Sequence, residues 1–117
     1  MRRLIPALLV SLPLALAVAC DNGGTPPEQC DDPVATTSVE VVDFAFEPDC
    51  LMVEAGASIH LENTGDLPHT FTVEGTSVDL DIAAGEEADA GLGGIEPGRY
   101  AVTCTLHPQM LATLEVA

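Results

Sequence analysis

From Ser38 to the C-terminus the chain is cut by turn formers into short runs of alternating apolar residues, and no stretch sustains a helical period. Val39, Val41 and Val42 lead into Phe44 and Phe46 before Glu47-Pro48-Asp49 breaks the run. Leu51 and Val53 alternate up to Gly56. Ile59 and Leu61 share one face of the next run, with Ser58, His60 and Glu62 on the other. Apolar runs over 70–73, 78–82, 88–92, 100–104 and 110–116 follow, separated by Asn63-Thr64-Gly65-Asp66, Glu74-Gly75, Gly85 and Glu96-Pro97-Gly98. About seven or eight short strands at roughly 8–12-residue spacing predict an all-β sandwich of antiparallel strands.

The N-terminus has a different pattern. Arg2 and Arg3 precede an apolar stretch over 4–19 broken only by Pro6, Ser11 and Pro13. It falls short of the roughly 20 apolar residues a spanning helix needs, so residues 1–19 read as a signal peptide, a retained anchor being the alternative. Two cleavage readings end before Cys20. Ala17-x-Ala19 fits an ordinary signal-peptidase site. Leu16-Ala17-Val18-Ala19-Cys20 also resembles a bacterial lipobox, which implies lipidation of Cys20, and this lipoprotein reading is the expectation. Residues 20–37 are polar and rich in Pro and Gly, and read as a tether ahead of a domain over 38–117. The protein is thus expected outside the cytoplasm, in the periplasm or on the outer face of the cell membrane, touching the membrane only through the lipid.

Export sharpens the charge. Without residues 1–19, Arg99 stands alone against 19 acidic residues, a net −18. Such a polyanion repels nucleic acid and anionic membrane surfaces. It attracts a partner with a basic face, and it also promotes solubility, including at high salt.

Four cysteines are present, in a compartment that favours disulfides. With Cys20 carrying lipid and Cys104 a metal, Cys30 and Cys50 are left to pair. A closed loop of about 20 residues constrains the unfolded chain by roughly 3 kcal/mol. That matters for a domain with three phenylalanines, one tyrosine and no tryptophan. Metal binding by Cys30 and Cys50 themselves finds no nearby histidine or CxxC in support.

The chemistry concentrates near the C-terminus, in Cys104-Thr105-Leu106-His107-Pro108-Gln109-Met110. A thiolate, an imidazole and a thioether sit within seven residues, and His69, after Pro68, supplies a second imidazole. Two imidazoles and a thiolate with a weak axial thioether form the donor set of one-electron copper sites. Zinc suits two imidazoles and a thiolate as well. Taken singly, Cys104 reads as a buried thiol and Met110 as core filler; their combination with the histidines carries the metal reading. His60 lies on a polar strand face and reads as a surface histidine.

These residues resemble the plastocyanin/azurin (cupredoxin) family of small blue-copper proteins. The likeness runs from about Val39 to Val116 through Phe46-x-Pro48, Leu51-x-Val53-x-x-Gly56, Asn63 ahead of Pro68-His69, and Gly98-x-Tyr100-x-x-x-Cys104-x-x-His107-x-x-Met110. The short gap between His107 and Met110 resembles amicyanin more than plastocyanin. The resemblance implies a Greek-key β-sandwich and one copper ion held by His69, Cys104, His107 and Met110, with His107 at the electron-exit surface. Asn63 and Thr70 are expected just behind the ligands. Thr70 stands where many relatives have Asn, and Leu106 where many have Pro.

The expected function is therefore electron transfer, with Cu(II)/Cu(I) cycling between redox proteins such as a cytochrome or oxidase with a basic docking face. Leu67, Pro68, Leu106 and Pro108 are expected to form an apolar docking collar around His107, on a monomer. The alternative is an extracytoplasmic copper carrier or buffer that delivers metal. No enzyme is expected: oxidases and nitrite reductases need further histidine-rich sites, and a binuclear copper centre needs a second cysteine in the ligand loop.

Overall fold

A computed structural model describes residues 30–117; the expected signal peptide, the expected lipidation at Cys20, and the first part of the expected tether lie outside the described residues. Ten strands follow one another: β1 (Val34–Ala35), β2 (Ser38–Val42), β3 (Ala45–Glu47), β4 (Cys50–Val53), β5 (Ser58–Asn63), β6 (His69–Val73), β7 (Asp79–Ile82), β8 (Glu87–Gly91), β9 (Gly98–Cys104) and β10 (His107–Val116). They form two sheets, β1-β4-β10-β9-β6-β7 and β3-β2-β5-β8. Among the described residues there is no helix long and apolar enough to cross a membrane.

The all-β sandwich is as expected, with ten strands rather than seven or eight. Two extra strands have specific causes. The run from Val39 to Phe46 is not one strand but a tight hairpin: Val42 pairs with Ala45 across Asp43-Phe44. Val34 and Ala35 pair with Leu51 and Met52, so the first sheet begins ahead of Ser38. Nor are the sheets wholly antiparallel, since β1 with β4, β4 with β10 and β2 with β5 run parallel.

Alternation places the core. Buried and exposed residues alternate without a break along β5, so Ile59 and Leu61 point inward while His60 and Glu62 face solvent. Val39, Val41, Leu51, Phe71, Val102 and Leu114 join them between the sheets. Phe46 and Phe71 meet edge to face across the sandwich at 5.8 Å, a favoured aromatic geometry. A disulfide joins Cys30 to Cys50, as the cysteine count predicts. It ties the chain before β1 to the start of β4, where the Arg99 guanidinium also donates to the Cys30 carbonyl at 3.0 Å.

Two register facts position the site. β6 and β9 are antiparallel, with Thr72 opposite Thr103 and Val73 opposite Val102, so the start of β6 lies beside the end of β9. β2 and β5 are parallel, with Val41 opposite Asn63, so both end at one level. The β2–β3 turn and the β5–β6 loop consequently meet at one end of the sandwich.

Candidate metal centre

His69 opens β6 and Cys104 closes β9. The start of β9 is anchored by Tyr100, whose hydroxyl donates to the Glu96 carbonyl at 2.6 Å. At its other end, Thr105-Leu106 makes a two-residue turn that sets His107 opposite Cys104. The ladder then slips, because the next pair is Leu111 with Thr103, and residues 108–110 bulge out of register. Bulges re-aim side chains. Here Pro108 and Gln109 face solvent while Met110 turns inward and is 1% exposed.

Three donor atoms converge. His69 Nδ1 lies 3.1 Å from His107 Nδ1, and Cys104 Sγ lies 3.9 Å and 3.6 Å from these two nitrogens. The point equidistant from all three is about 2.1 Å from each, close to the length of a metal bond to imidazole nitrogen and about 0.2 Å short of one to thiolate sulfur. Met110 packs into the same buried cluster as Cys104.

The surrounding hydrogen bonds hold these atoms in place. The Thr70 backbone N–H donates to Cys104 Sγ at 3.3 Å. The Thr70 hydroxyl accepts from the Thr105 N–H at 2.8 Å, linking the two ligand-bearing segments. Asn63 is 1% exposed. Its amide donates to the carbonyls of Leu67 and Ile82, each at 2.9 Å, while its Oδ1 accepts from the Gly65 N–H at 3.0 Å. One side chain thus folds the loop that delivers His69 onto the end of β7.

Asp43 completes the arrangement. Its carboxylate accepts from His69 Nε2 at 3.0 Å and from the N–H groups of Asp66 and Leu67 at 3.1 and 3.3 Å. The Asp66 N–H above all, then the His69 imidazole, hold the Asp43 carboxyl below the ordinary carboxylate range. A neutral His69 that donates from Nε2 presents a bare lone pair at Nδ1. That lone pair faces a second imidazole nitrogen and a sulfur, a set of atoms that a cation draws together. Beside Asp43, the Phe44 ring meets His107 edge-on at 5.1 Å.

The structure thus brings together His69, Cys104 and His107, with Met110 buried beside them and Asn63 and Thr70 bracing the loops. Leu67 and Leu106 are 38% and 54% exposed, Pro68 and Pro108 are also exposed, and His107 is half-buried. His60 takes no part, being hydrogen-bonded on the outer face of the other sheet to Asp89 and Glu87. Sequence reasoning missed Asp43 and Phe44, which it placed in and beside a continuous strand.

Residues 9–116 match the cupredoxin-like domain family. The chain belongs to that family. It is 30% identical over 79 residues to cytochrome c oxidase subunit 2 of Thermus thermophilus, an alignment covering 62% of this chain and 58% of that protein. A second such subunit from the same species aligns at the same identity, with 47% of its length covered, so the chain spans about half the length of these relatives. Among solved structures, the purple cupredoxin of Nitrosopumilus maritimus superposes with a TM-score of 0.57 at 15% identity, covering 68% of this chain and 98% of that one. An oxidised amicyanin variant gives 0.58 at 21% identity, covering 68% and 80%. These structures share the architecture of the sandwich. In this cupredoxin-like domain, His69, Cys104, His107 and Met110 fit one copper ion.

Proposed function

We propose that this protein is a type 1 copper electron carrier that works outside the cytoplasm. The observation that carries the reading is the triangle of His69 Nδ1, His107 Nδ1 and Cys104 Sγ, closed to within 3.9 Å and built by sheet register. Copper bound there supplies a one-electron couple. The protein's part is to resist rearrangement: Cys104 is set by the β9 ladder, His69 by Asn63 and Asp43, and both segments by Thr70. A site that barely moves between two charge states exchanges electrons with little reorganisation.

His69 and Cys104 are each 1% exposed, whereas His107 is half-buried with Nδ1 turned inward, so its ring is the path to the surface. Leu67, Pro68, Leu106 and Pro108, exposed and close in the chain to His69 and His107, are the docking patch of this reading and suit brief docking in the small-interface regime of redox encounters. The acidic surface orients a basic partner such as a cytochrome or oxidase. The likeness to an oxidase subunit supports a place in such an exchange, although the ligand loop holds one cysteine and hence one ion. Export by the 1–19 leader, with Cys20 as lipid anchor, fits this setting, and mass spectrometry of the native N-terminus tests it.

Adding Cu(II) to the metal-free protein tests the function. Intense blue absorption with a narrow copper hyperfine splitting is expected. Cys104→Ala abolishes it and His60→Ala leaves it intact. A colourless, redox-silent protein after copper addition refutes the proposal.

A further inference from the structure

The β2–β3 turn touches both imidazoles, one through each of its two residues. Asp43 Oδ1 lies 3.0 Å from His69 Nε2, and the Phe44 ring centroid lies 5.1 Å from that of His107. Both contacts place demands on the chain. Phe44 has φ +68°, the one non-glycine residue with positive φ among those described, and its side chain is 63% exposed, so burial does not compensate the strain. Gly65 is shaped to fit Asp43: a Cβ there would collide with the Asp43 Oδ1 and lie 2.8 Å from its Cγ. The carboxylate also binds the N–H groups of Asp66 and Leu67, so it is fixed by the same loop whose histidine it meets.

We propose that Asp43-Phe44 is a third arm of the metal centre, reaching over from the opposite sheet. Asp43 is a positioning residue that selects the His69 tautomer with Nδ1 bare and adds a negative charge that favours the higher oxidation state of a bound ion. Phe44 steadies the His107 ring. The part played by charge rests on the copper reading above; the tautomer does not.

The carboxylate contact separates two effects by its variants. Asp43→Asn retains an oxygen to accept from His69 Nε2 but removes the charge. Asp43→Ala removes both. Gly65→Ala leaves Asp43 in the sequence and displaces its carboxylate. Outer partners of metal-bound histidines change metal affinity about 10–100-fold. Here the loss of charge is expected to lower the preference for Cu(II) over Cu(I) about tenfold, equivalent to a midpoint about 59 mV higher for one electron.

The experiment uses the full chain in two states. In the metal-free protein, nitrogen NMR of the His69 ring is expected to show Nε2–H in the parent and in Asp43→Asn, and a mixture of tautomers in Asp43→Ala and Gly65→Ala. In the copper-loaded protein, all three variants are expected to raise the midpoint potential. For Phe44→Gly, release of backbone strain is expected to raise the thermal midpoint of the metal-free chain while copper release to a chelator quickens severalfold. An unchanged tautomer in Asp43→Ala, or an unchanged potential in Asp43→Asn, overturns the role assigned to Asp43. Unchanged copper release in Phe44→Gly removes Phe44 from the arm. Should the parent protein not turn blue, the function fails while the tautomer measurement still decides the positioning role.

Discussion

Asn63→Ala is expected to destabilise the metal-free domain by about 3 kcal/mol. The magnitude comes from three hydrogen bonds lost from one nearly inaccessible side chain. The Ile82 carbonyl is buried, and stripping it of the Asn63 amide exposes the full desolvation cost, about 1–3 kcal/mol. The Leu67 carbonyl and the Gly65 N–H are only part-buried, so water replaces part of what is lost, at about 0.5–1 kcal/mol each. For a domain of this size, a loss of about 3 kcal/mol lowers Tm by roughly 12–24 °C. Asn63→Asp is the sharper probe. It keeps shape and the acceptor for Gly65, but turns an oxygen toward two carbonyls, and is expected to cost at least as much as alanine at neutral pH. Urea unfolding of the metal-free variants measures both. A cost under about 1 kcal/mol for alanine, or a well-tolerated aspartate, refutes the idea that Asn63 holds the His69 loop.

Other consequences follow from single features. Removing the disulfide with Cys30→Ala and Cys50→Ala, which closes a loop with a sequence separation of 20, is expected to cost about 3 kcal/mol in denaturant unfolding. His60 has its pKa raised above 6.5 by Asp89 and then Glu87, so protonated His60 favours the native state. That stability is fully present below 6.5 and is lost as pH rises through the raised value. The gap in unfolding free energy between parent and His60→Gln is expected to shrink on alkalinisation; a constant gap refutes the ion pairs. Thr113 Oγ1 is buried without a partner, and Thr113→Val is expected to stabilise by about 1 kcal/mol in the same unfolding assay. Leu106→Lys is expected to slow electron transfer to a protein acceptor while leaving the copper spectrum unchanged, and an unaltered rate removes Leu106 from the docking surface.

The donors were legible because thiolate, imidazole and thioether at such spacing have few structural uses in common. The sandwich was legible because period-2 alternation, as in Ile59 and Leu61, is a direct consequence of burying one sheet face. Parallel pairing was not. Nothing in the period of β2 or β5 distinguishes a parallel neighbour from an antiparallel one, since both bury alternate residues. The disulfide followed from counting cysteines, yet the count is silent on β1, where only Val34 and Ala35 pair and both are exposed.

The turn at Asp43-Phe44 left a trace that alternation, strictly applied, reveals. Val39 and Val41 are buried at odd positions and Phe46 at an even one. A single strand cannot put both parities on one face, so the chain must turn or bulge between Val41 and Phe46. In the hairpin Val41 lies opposite Phe46, and the change of parity becomes a cross-strand pair. What parity cannot reveal is that the turn reaches the metal centre. That depends on β2 and β5 ending at one level, a fact of sheet register, and on Gly65 lacking a Cβ where the Asp43 carboxylate enters. Residues that bind a metal are marked by their own chemistry. Residues that orient the binders are ordinary turn formers, and become recognisable only when topology has set them side by side.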